Sequence, residues 1–248
     1  MGHLVTLPIL LPMLGAILAL LPPCGKNVKI RRMVSQAFAF FTLVASLILL
    51  NHSASNNIEV YAVGNWSAPF GIVLVSDMLS ALLISLTSFL ALCCIFYASA
   101  DDDEKGSFFH PLMHFLVMGV NGAFLTGDLF NLFVFFEVLL IASYSLLMHA
   151  GDKHKTRSAL HYVILNLIGS SIFLIGLGVL YGVLGTLNIA DMAVKVSQLT
   201  GDDIALAKIG GLLLLIVFGL KAAILPLHLW LPKTYSSALP VIAAMFAI

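Results

Sequence analysis

The chain has 248 residues, of which 60% are hydrophobic and only 10% are charged, and its mean hydropathy is +1.06. Soluble domains hold about 45–50% apolar and about 25% charged residues, so this composition excludes a soluble globular protein and indicates a membrane protein surrounded by lipid. The formal net charge is zero, which gives no basic surface for nucleic acid.

Windows of about 20 apolar residues predict seven transmembrane helices and the beginning of an eighth. The predicted spans are residues 4–22, 33–50, 77–98, 108–127, 129–149, 159–184 and 205–225, and the eighth begins near Ala238. Each should be helical, because an isolated strand cannot satisfy its backbone groups in lipid. We therefore predict an all-α, polytopic membrane protein with a single transmembrane domain over residues 1–248.

Two connectors between the predicted spans carry a pattern of their own. Residues 59–76 contain Gly64, Trp66 and Pro69 between short runs typical of strands, which predicts a hairpin at the outer interface. Residues 188–199 have apolar side chains at helical spacing, which predicts an amphipathic helix along the outer surface.

The basic residues predict the orientation of the chain. Nine of the twelve lie in the linkers after spans one, three, five and seven: Lys26, Lys29, Arg31, Arg32, Lys105, Lys153, Lys155, Arg157 and Lys233. By the positive-inside rule, these linkers are cytoplasmic and the N-terminus is outside. The acidic run from Asp101 to Glu104 lies on the same side, but acidic residues count little in this rule.

Glu137 is the first candidate functional residue, because it lies near the middle of the fifth predicted span. No partner stands three or four positions away, and a carboxylate at the bilayer centre costs at least ~2.5 kcal/mol. We expect it to be neutral, hydrated or paired with another helix. The alternative to a functional role is a structural hydrogen bond between helices.

Lys221 is the second candidate, since it lies late in the seventh predicted span, five residues before Pro226. Proline has no N–H, so the helix should break or kink, and Lys221 then lies in its last turn, where the helix dipole favours a cation. The alternative is a lysine whose amine reaches the inner interface. Glu137 and Lys221 are opposite in sign, and we predict that they form one proton-path unit.

The remaining polar residues give weaker signals. His110 and His114 lie four residues apart at the start of span four and form either a proton relay or an interfacial pair. His228 follows the predicted break and is a further relay candidate. Asn166 and Ser170 share a face of span six, where they either hold water or link helices.

The sequence contains no motif that is typical of an enzyme active site. It holds neither a phosphate-binding loop nor a dinucleotide fingerprint, and Cys24, Cys93 and Cys94 lack the spacing of metal ligands. We expect no cofactor and no metal site, and a transporter rather than an enzyme.

The charged positions lie in runs that resemble a known family. Residues 127–137 read GDLFNLFVFFE and, with residues 159–181 and the run GTLNIAD at 185–191, resemble the D-type subunit of the Mrp-type multisubunit Na+/H+ antiporters. Residues 219–232 read GLKAAILPLHLWLP and are similar to a signature shared with the antiporter-like subunits of respiratory complex I. The resemblance covers essentially the whole chain.

The resemblance implies an antiporter-like fold, namely the first of two inverted repeats plus the start of the second, with a broken seventh helix. It implies that Glu137 and Lys221 are the family's fifth-span glutamate and seventh-span lysine on the proton path. It further implies a bacterial inner (plasma) membrane protein without organic cofactor. Such a protein assembles with other Mrp subunits and exchanges Na+ or a related cation for H+.

The chain also departs from the family pattern. Family members have about fourteen spans, and the lysines of their eighth and twelfth spans are missing here. Lys233 stands where relatives often have an acidic residue. The sequence is expected to be either part of a longer chain or a truncated paralogue that acts as a non-transporting scaffold. A pump subunit of a complex I-type quinone oxidoreductase is the other alternative.

Overall fold

The computed structural model describes residues 2–55, 58–66, 69–149 and 153–247, and these are mainly helical, as predicted. The α-helices are α1 Leu7–Leu20, α2 Val28–Ser53, α3 Met78–Ala98, α4 Phe109–Leu125, α5 Leu129–Leu147, α6 Lys153–Leu184, α7 Ile189–Val196, α8 Asp202–Lys221, α9 Trp230–Ser237 and α10 Pro240–Phe246. The strands are β1 Glu59–Ala62 and β2 Val73–Ser76. Short 3-10 segments cover Gly2–Thr6, Val63–Asn65, Asp102–Lys105 and Leu227–Leu229.

Six helices in the described part of the chain are long and apolar enough to cross a membrane. They are His3–Leu20, Val28–Ser53, Met78–Ala98, Leu129–Leu147, Thr156–Leu184 and Asp202–Lys221. Helix α4 is apolar as well but has only 17 residues, which is about the shortest length that spans a bilayer. With α4 included, each of the seven predicted spans corresponds to a helix, and the protein is a multi-pass membrane protein.

Helices α2 and α6 begin five and six residues before the predicted spans, because the hydropathy windows excluded their basic first turns. The side chain of Asn27 caps α2 by accepting hydrogen bonds from the backbone N–H groups of Lys29 and Ile30. Arg31 and Arg32 are therefore part of α2 and not of a linker, which corrects the predicted boundary.

The helices pack mainly against helices that are near to them in the chain, and small residues lie at the contacts. Helices α1 and α2 pack against each other, α1 packs against α4, and α2 packs against α3, while α5 joins α4 to α6 and α6 packs along α8. A Cβ atom at Gly119 of α4 would lie 2.7 Å from the Cβ of Leu139 and 2.8 Å from its backbone nitrogen. This glycine therefore sets the close approach of α4 and α5, as small residues do between membrane helices.

The predicted hairpin is confirmed, and it joins two other connectors at one end of the bundle. Strands β1 and β2 are antiparallel, with Glu59 opposite Ser76. Backbone hydrogen bonds of 2.9 Å run from Gly127 N–H to the carbonyl of Val73, and from Ile189 N–H to the carbonyl of Gly127. The connectors after predicted spans two, four and six thus meet. The predicted amphipathic helix is also present, as α7.

The predicted break in the seventh span is confirmed, and it begins at Lys221, the last residue of α8. Ala223 has a φ of 51°, and the N–H groups of Ala223 and Ile224 donate to the carbonyls of Leu220 and Gly219. These two bonds form a Schellman motif, in which the left-handed residue is usually a glycine. The left-handed conformation costs an alanine roughly 1–2 kcal/mol, so the surrounding packing holds this turn in place.

Candidate functional site

Glu137 is hydrogen-bonded to a side chain of another helix. It lies in α5, and its Oε1 atom accepts a hydrogen bond from Ser170 Oγ of α6. Ser170 is buried, and Glu137 is half-buried. The expectation that Glu137 pairs with another helix is therefore met by a hydroxyl group.

Lys221 Nζ is buried and has no hydrogen-bond partner among the described residues. It lies 4.9 Å from the ring centroid of Phe136, the residue that precedes Glu137. The ring face attracts the ammonium ion, and the C-terminus of α8 carries partial negative charge.

A cavity of about 300 Å³ lies beside Lys221. Its polar lining comes from Lys221, Ser143, Tyr162, Asn166 and Trp230, and the rest is apolar. Ser143 Oγ and Tyr162 Oη are 3.2 Å apart, and Trp230 Nε1 donates to the carbonyl of Leu220 over 2.9 Å. A space of this size with several polar groups has room for several water molecules.

Glu137 and Lys221 do not form a direct ion pair in the part of the chain that the structure describes, where no ammonium–carboxylate distance within 4.0 Å joins them. Phe136 lies under the ammonium group, and the carboxylate is held by Ser170. Any exchange of protons between the two residues therefore requires intervening water or a movement of one side chain.

The structure distributes the other candidate residues unequally. Asn166 is buried, donates to the carbonyl of Tyr162 over 3.0 Å and lines the cavity. Ser170, one turn further along α6, bonds Glu137. His228 lies in the 3-10 segment after the break, where its buried Nδ1 has no partner among the described residues, and it does not line the cavity.

His110 and His114 belong to a separate buried hydrogen-bonded chain between α2 and α4. His110 Nε2 lies 2.9 Å from Asp103 Oδ2, and His110 Nδ1 lies 2.9 Å from Ser35 Oγ. His114 Nε2 lies 2.9 Å from the same Ser35 oxygen. Both histidines, Ser35 and Asp103 are buried. The two histidines are therefore enclosed within the helix bundle rather than exposed on its surface.

Arg32 holds the surface end of this chain. Its guanidinium group donates to both carboxylate oxygens of Asp103, at 2.6 and 2.7 Å, and to Glu104 at 2.9 Å. Burial of the Asp103 carboxylate raises its pKa, but the hydrogen bonds from Arg32 and His110 outweigh that effect and hold the pKa below its ordinary 3.8. Because an ionised carboxylate only accepts, His110 Nε2 is the donor in that contact.

Several residues of these two systems were missed by sequence reasoning. Ser35 and Tyr162 looked like ordinary residues of apolar spans, and Asp103 looked like part of a solvated acidic loop. The one available signal was the unexplained acidic run among basic linkers. The structure accounts for it, since Asp103 and Glu104 pair with Arg32, while Asp101 and Asp102 pair with Lys105.

Comparison with known sequences gives consistent matches. Residues 126–248 match the model of the NADH:quinone oxidoreductase/Mrp antiporter transmembrane family. The whole chain is 44% identical to the D-type subunit of a probable K(+)/H(+) antiporter from Rhizobium meliloti (strain 1021), of which it covers 47%. It is 42% identical to the D-type subunit of the Na(+)/H(+) antiporter from Bacillus subtilis (strain 168), with 99% of this chain and 50% of the relative covered. The chain thus spans about half the length of these relatives.

Solved structures give the same picture. The whole chain superposes on 46% of a chain in the Mrp complex from Dietzia sp. DQ12-45-1b, with a TM-score of 0.88 and 32% identity. It also superposes on half of a chain in the membrane-bound sulfane sulfur reductase, an archaeal respiratory membrane complex, with a TM-score of 0.86 and 28% identity. In that match, 98% of this chain is covered.

We predict that Asp103→Asn lowers the free energy of unfolding by ~3–5 kcal/mol, because it leaves Arg32 and His110 without the buried carboxylate. Glu104→Gln removes an exposed partner of the same arginine and should cost only ~0–1 kcal/mol. Thermal or denaturant unfolding of both variants in detergent provides the measurement. Equal losses in the two variants would contradict the assignment.

The low pKa of Asp103 predicts that the stability of the protein depends on pH. The folded-state pKa of Asp103 lies below 3.8, so its contribution is complete above that pH and disappears as the pH falls through the lower folded-state value. The stability difference between the native protein and Asp103→Asn should therefore shrink below about pH 4. A difference that stays constant down to pH 2.5 would contradict this account.

Proposed function

This chain belongs to the NADH:quinone oxidoreductase/Mrp antiporter family, and on that premise we propose that it is a proton-translocating part of the D-type subunit in a multisubunit monovalent cation/proton antiporter. The single observation that carries the proposal is the Lys221 site. A buried amine with no hydrogen-bond partner in the described ranges lies at the end of a broken helix and adjoins a cavity with polar groups, and a half-buried carboxylate lies on the neighbouring helix. Intramembrane ionisable residues of this kind mark ion pathways.

In this proposal, Lys221 is the group that takes up and releases the transported proton. The amine is stabilised as a cation by the ring of Phe136 and by the end of α8, and destabilised by burial. Water that enters the cavity hydrates the ammonium ion and favours the protonated form, while its removal favours proton release. Tyr162 and Asn166 orient that water, since both line the cavity with polar atoms.

Glu137 is the partner that biases Lys221 by charge rather than by contact. The Ser170 hydroxyl holds the Glu137 side chain in place, and a nearby negative charge favours the charged amine. A proton that reaches Glu137 removes this bias and so promotes proton release from Lys221. His228 lies in the 3-10 segment that follows Lys221 along the chain and is a candidate for the next proton acceptor.

The chain from Asp103 to His114 supports a second proton-handling role. Because His110 Nε2 donates to Asp103, its Nδ1 accepts from the Ser35 hydroxyl, and Ser35 in turn accepts from His114 Nε2. A proton that binds the other nitrogen of His114 releases the Nε2 proton to Ser35. Ser35 then passes its own proton to His110, which passes one to Asp103.

The proposed partners are the other Mrp subunits, with membrane lipid as the solvent and H+ and Na+ or K+ as the exchanged ions. The names of the relatives support this, since they include both Na(+)/H(+) and K(+)/H(+) antiporter subunits. The coupled complex is expected to use the proton gradient, with the N-terminus of this chain outside.

Neutralising either charge of the central site should reduce cation-dependent proton exchange by about 100-fold or more, the usual contribution of a proton-transfer group. Glu137→Gln and Lys221→Met should also be far from additive in the double variant, because they act on one proton. Exchange is measured in everted vesicles that contain the complete antiporter, with assembly quantified in parallel. Lys208→Met, on the exposed face of the same helix, is the matched control.

Two results would count against this site. One is wild-type exchange by assembled Glu137→Gln and Lys221→Met complexes. The other is an equal loss in the Lys208→Met control, which would point to a general effect of charge on α8. Ser170→Ala should lower exchange more than Ser171→Ala, because Ser171 bonds only the carbonyl of Leu167 in its own helix.

For the second proton-handling role, Ser35→Ala should slow proton exchange and change its dependence on pH, since it interrupts the hydrogen-bonded chain between two histidines. Ser85→Ala is the matched control, because that buried hydroxyl bonds only the carbonyl of Ala81 within α3. Exchange rates from pH 6 to pH 9 provide the measurement. Identical pH profiles for the two variants would refute the relay.

The orientation predicts opposite accessibility for two lysine positions. In a chain whose native cysteines are replaced, Lys155→Cys should be protected from an impermeant thiol reagent in intact cells, and Lys195→Cys should react. The connectors after predicted spans two, four and six meet at one end of the helix bundle, which supports this arrangement. Labelling of position 155 from outside, with position 195 protected, would reverse the topology.

A further inference from the structure

A pocket of about 390 Å³ lies between α6 and α9, apart from the Lys221 cavity. Its lining consists of Arg157, Ser158 and His161 from α6, and of Lys233 and Ser236 from α9. No acidic side chain lines it among the described residues. The pocket therefore presents two cations, an imidazole and two hydroxyl groups to whatever occupies it.

The two cations differ from Arg32, Lys105 and Lys195 in having no counter-ion among the described residues. Arg32, Lys105 and Lys195 each lie within 3.2 Å of a carboxylate oxygen. Arg157 and Lys233 have no such partner in the described ranges, although both come from different elements and converge on one pocket. Like charges brought together without compensation repel, so the arrangement favours an external anion.

The surface next to the pocket carries exposed apolar side chains, which could contact the acyl chains of a lipid. Along α6, Ile164 and Ile168 continue the helical face of Arg157 and His161, and they are 47% and 53% exposed. Leu229, four residues before Lys233, is 67% exposed. On the α6 side, basic residues are thus followed along the helix by exposed apolar ones, and on the other side an exposed leucine lies just before α9. The pocket and this surface together form a groove that is basic at one end and apolar at the other, as a phospholipid is.

We propose that this groove binds the phosphate group of an anionic phospholipid, whose acyl chains lie along the exposed apolar faces, and that the bound lipid holds α9 against α6. Basic pockets between transmembrane helices are suited to such headgroups. A free phosphate ion would use the basic end alone and leave the adjoining apolar groove without a role.

The proposed lipid bridges the two helices that frame the Lys221 cavity. Tyr162 of α6 and Trp230 of α9 both line that cavity, and their ring centroids are 5.2 Å apart. Arg157 and His161 precede Tyr162 on α6, and Lys233 follows Trp230 on α9. A headgroup that neutralises both basic sets therefore fixes the spacing of the aromatic pair. This last consequence, and only this one, rests on the proposed transport function.

The binding test uses the complete antiporter in detergent and native mass spectrometry with added phosphatidylglycerol, phosphatidylcholine or inorganic phosphate. A basic side chain near an anionic bilayer surface contributes about 1 kcal/mol, or roughly a fivefold change in dissociation constant. Arg157→Gln and Lys233→Gln should each weaken phosphatidylglycerol binding by about that factor, and the double variant by roughly 25-fold. Lys26→Gln with Lys29→Gln, two exposed lysines elsewhere, should have no effect.

A second set of variants separates binding from misfolding. Lys233→Arg keeps the charge and should bind lipid like the native protein, with an unchanged thermal midpoint. Anionic lipid should raise the midpoint of the native complex and of the Lys26/Lys29 control, but not of the Arg157/Lys233 double variant.

Three outcomes would overturn the proposal. They are equal binding of the two lipids, equal binding by native and double-variant complexes, and equal stabilisation by inorganic phosphate, which would make the occupant a free ion. Normal cation exchange by a complex that has lost lipid binding would refute the link between the groove and the cavity. Because binding is read without transport, a failure of the transport proposal leaves these results interpretable.

Discussion

The termination of α8 at Lys221 determines where the polar groups of the second half of the chain lie. The helix ends in a turn that places Ala223 at a φ of 51°, and the segment that follows leads to α9, which packs against α6. Because α8 stops inside the apolar region, its last carbonyl groups are available, and Trp230 donates to one of them. The amine, the indole and the phenol of Tyr162 then surround one cavity, which a continuous helix would fill with its own side chains.

The described residues contain two titratable systems, which are built in different ways. Around Lys221, a single buried amine lies beside a cavity and has no hydrogen-bond partner among the described residues. Between α2 and α4, by contrast, Arg32, Asp103, His110 and Ser35 are closely paired, with every contact between 2.6 and 2.9 Å. The first arrangement suits a group whose protonation changes, and the second suits transfer along fixed contacts or the fixing of α2 against α4.

The sequence predicted those features that depend on one helix at a time. Hydropathy located the spans, Pro226 located the break, and the turn residues around Gly64 and Trp66 indicated the hairpin. The family resemblance, which the comparisons confirm, rests on local runs of the same kind. Contacts between helices were harder to predict. Ser35 meets two histidines only because of the rotation of α2 against α4, and Phe136 rather than Glu137 contacts the Lys221 amine for a similar reason.

The backbone hydrogen bonds between connectors have a consequence for the order of assembly during synthesis. The carbonyl of Val73 bonds Gly127, whose own carbonyl bonds Ile189, more than a hundred positions after Val73 in the chain. The hairpin therefore leaves the ribosome long before its last partner does. The last of these backbone hydrogen bonds forms only after α6 has been inserted. The early helices therefore lie in the bilayer before their packing is complete.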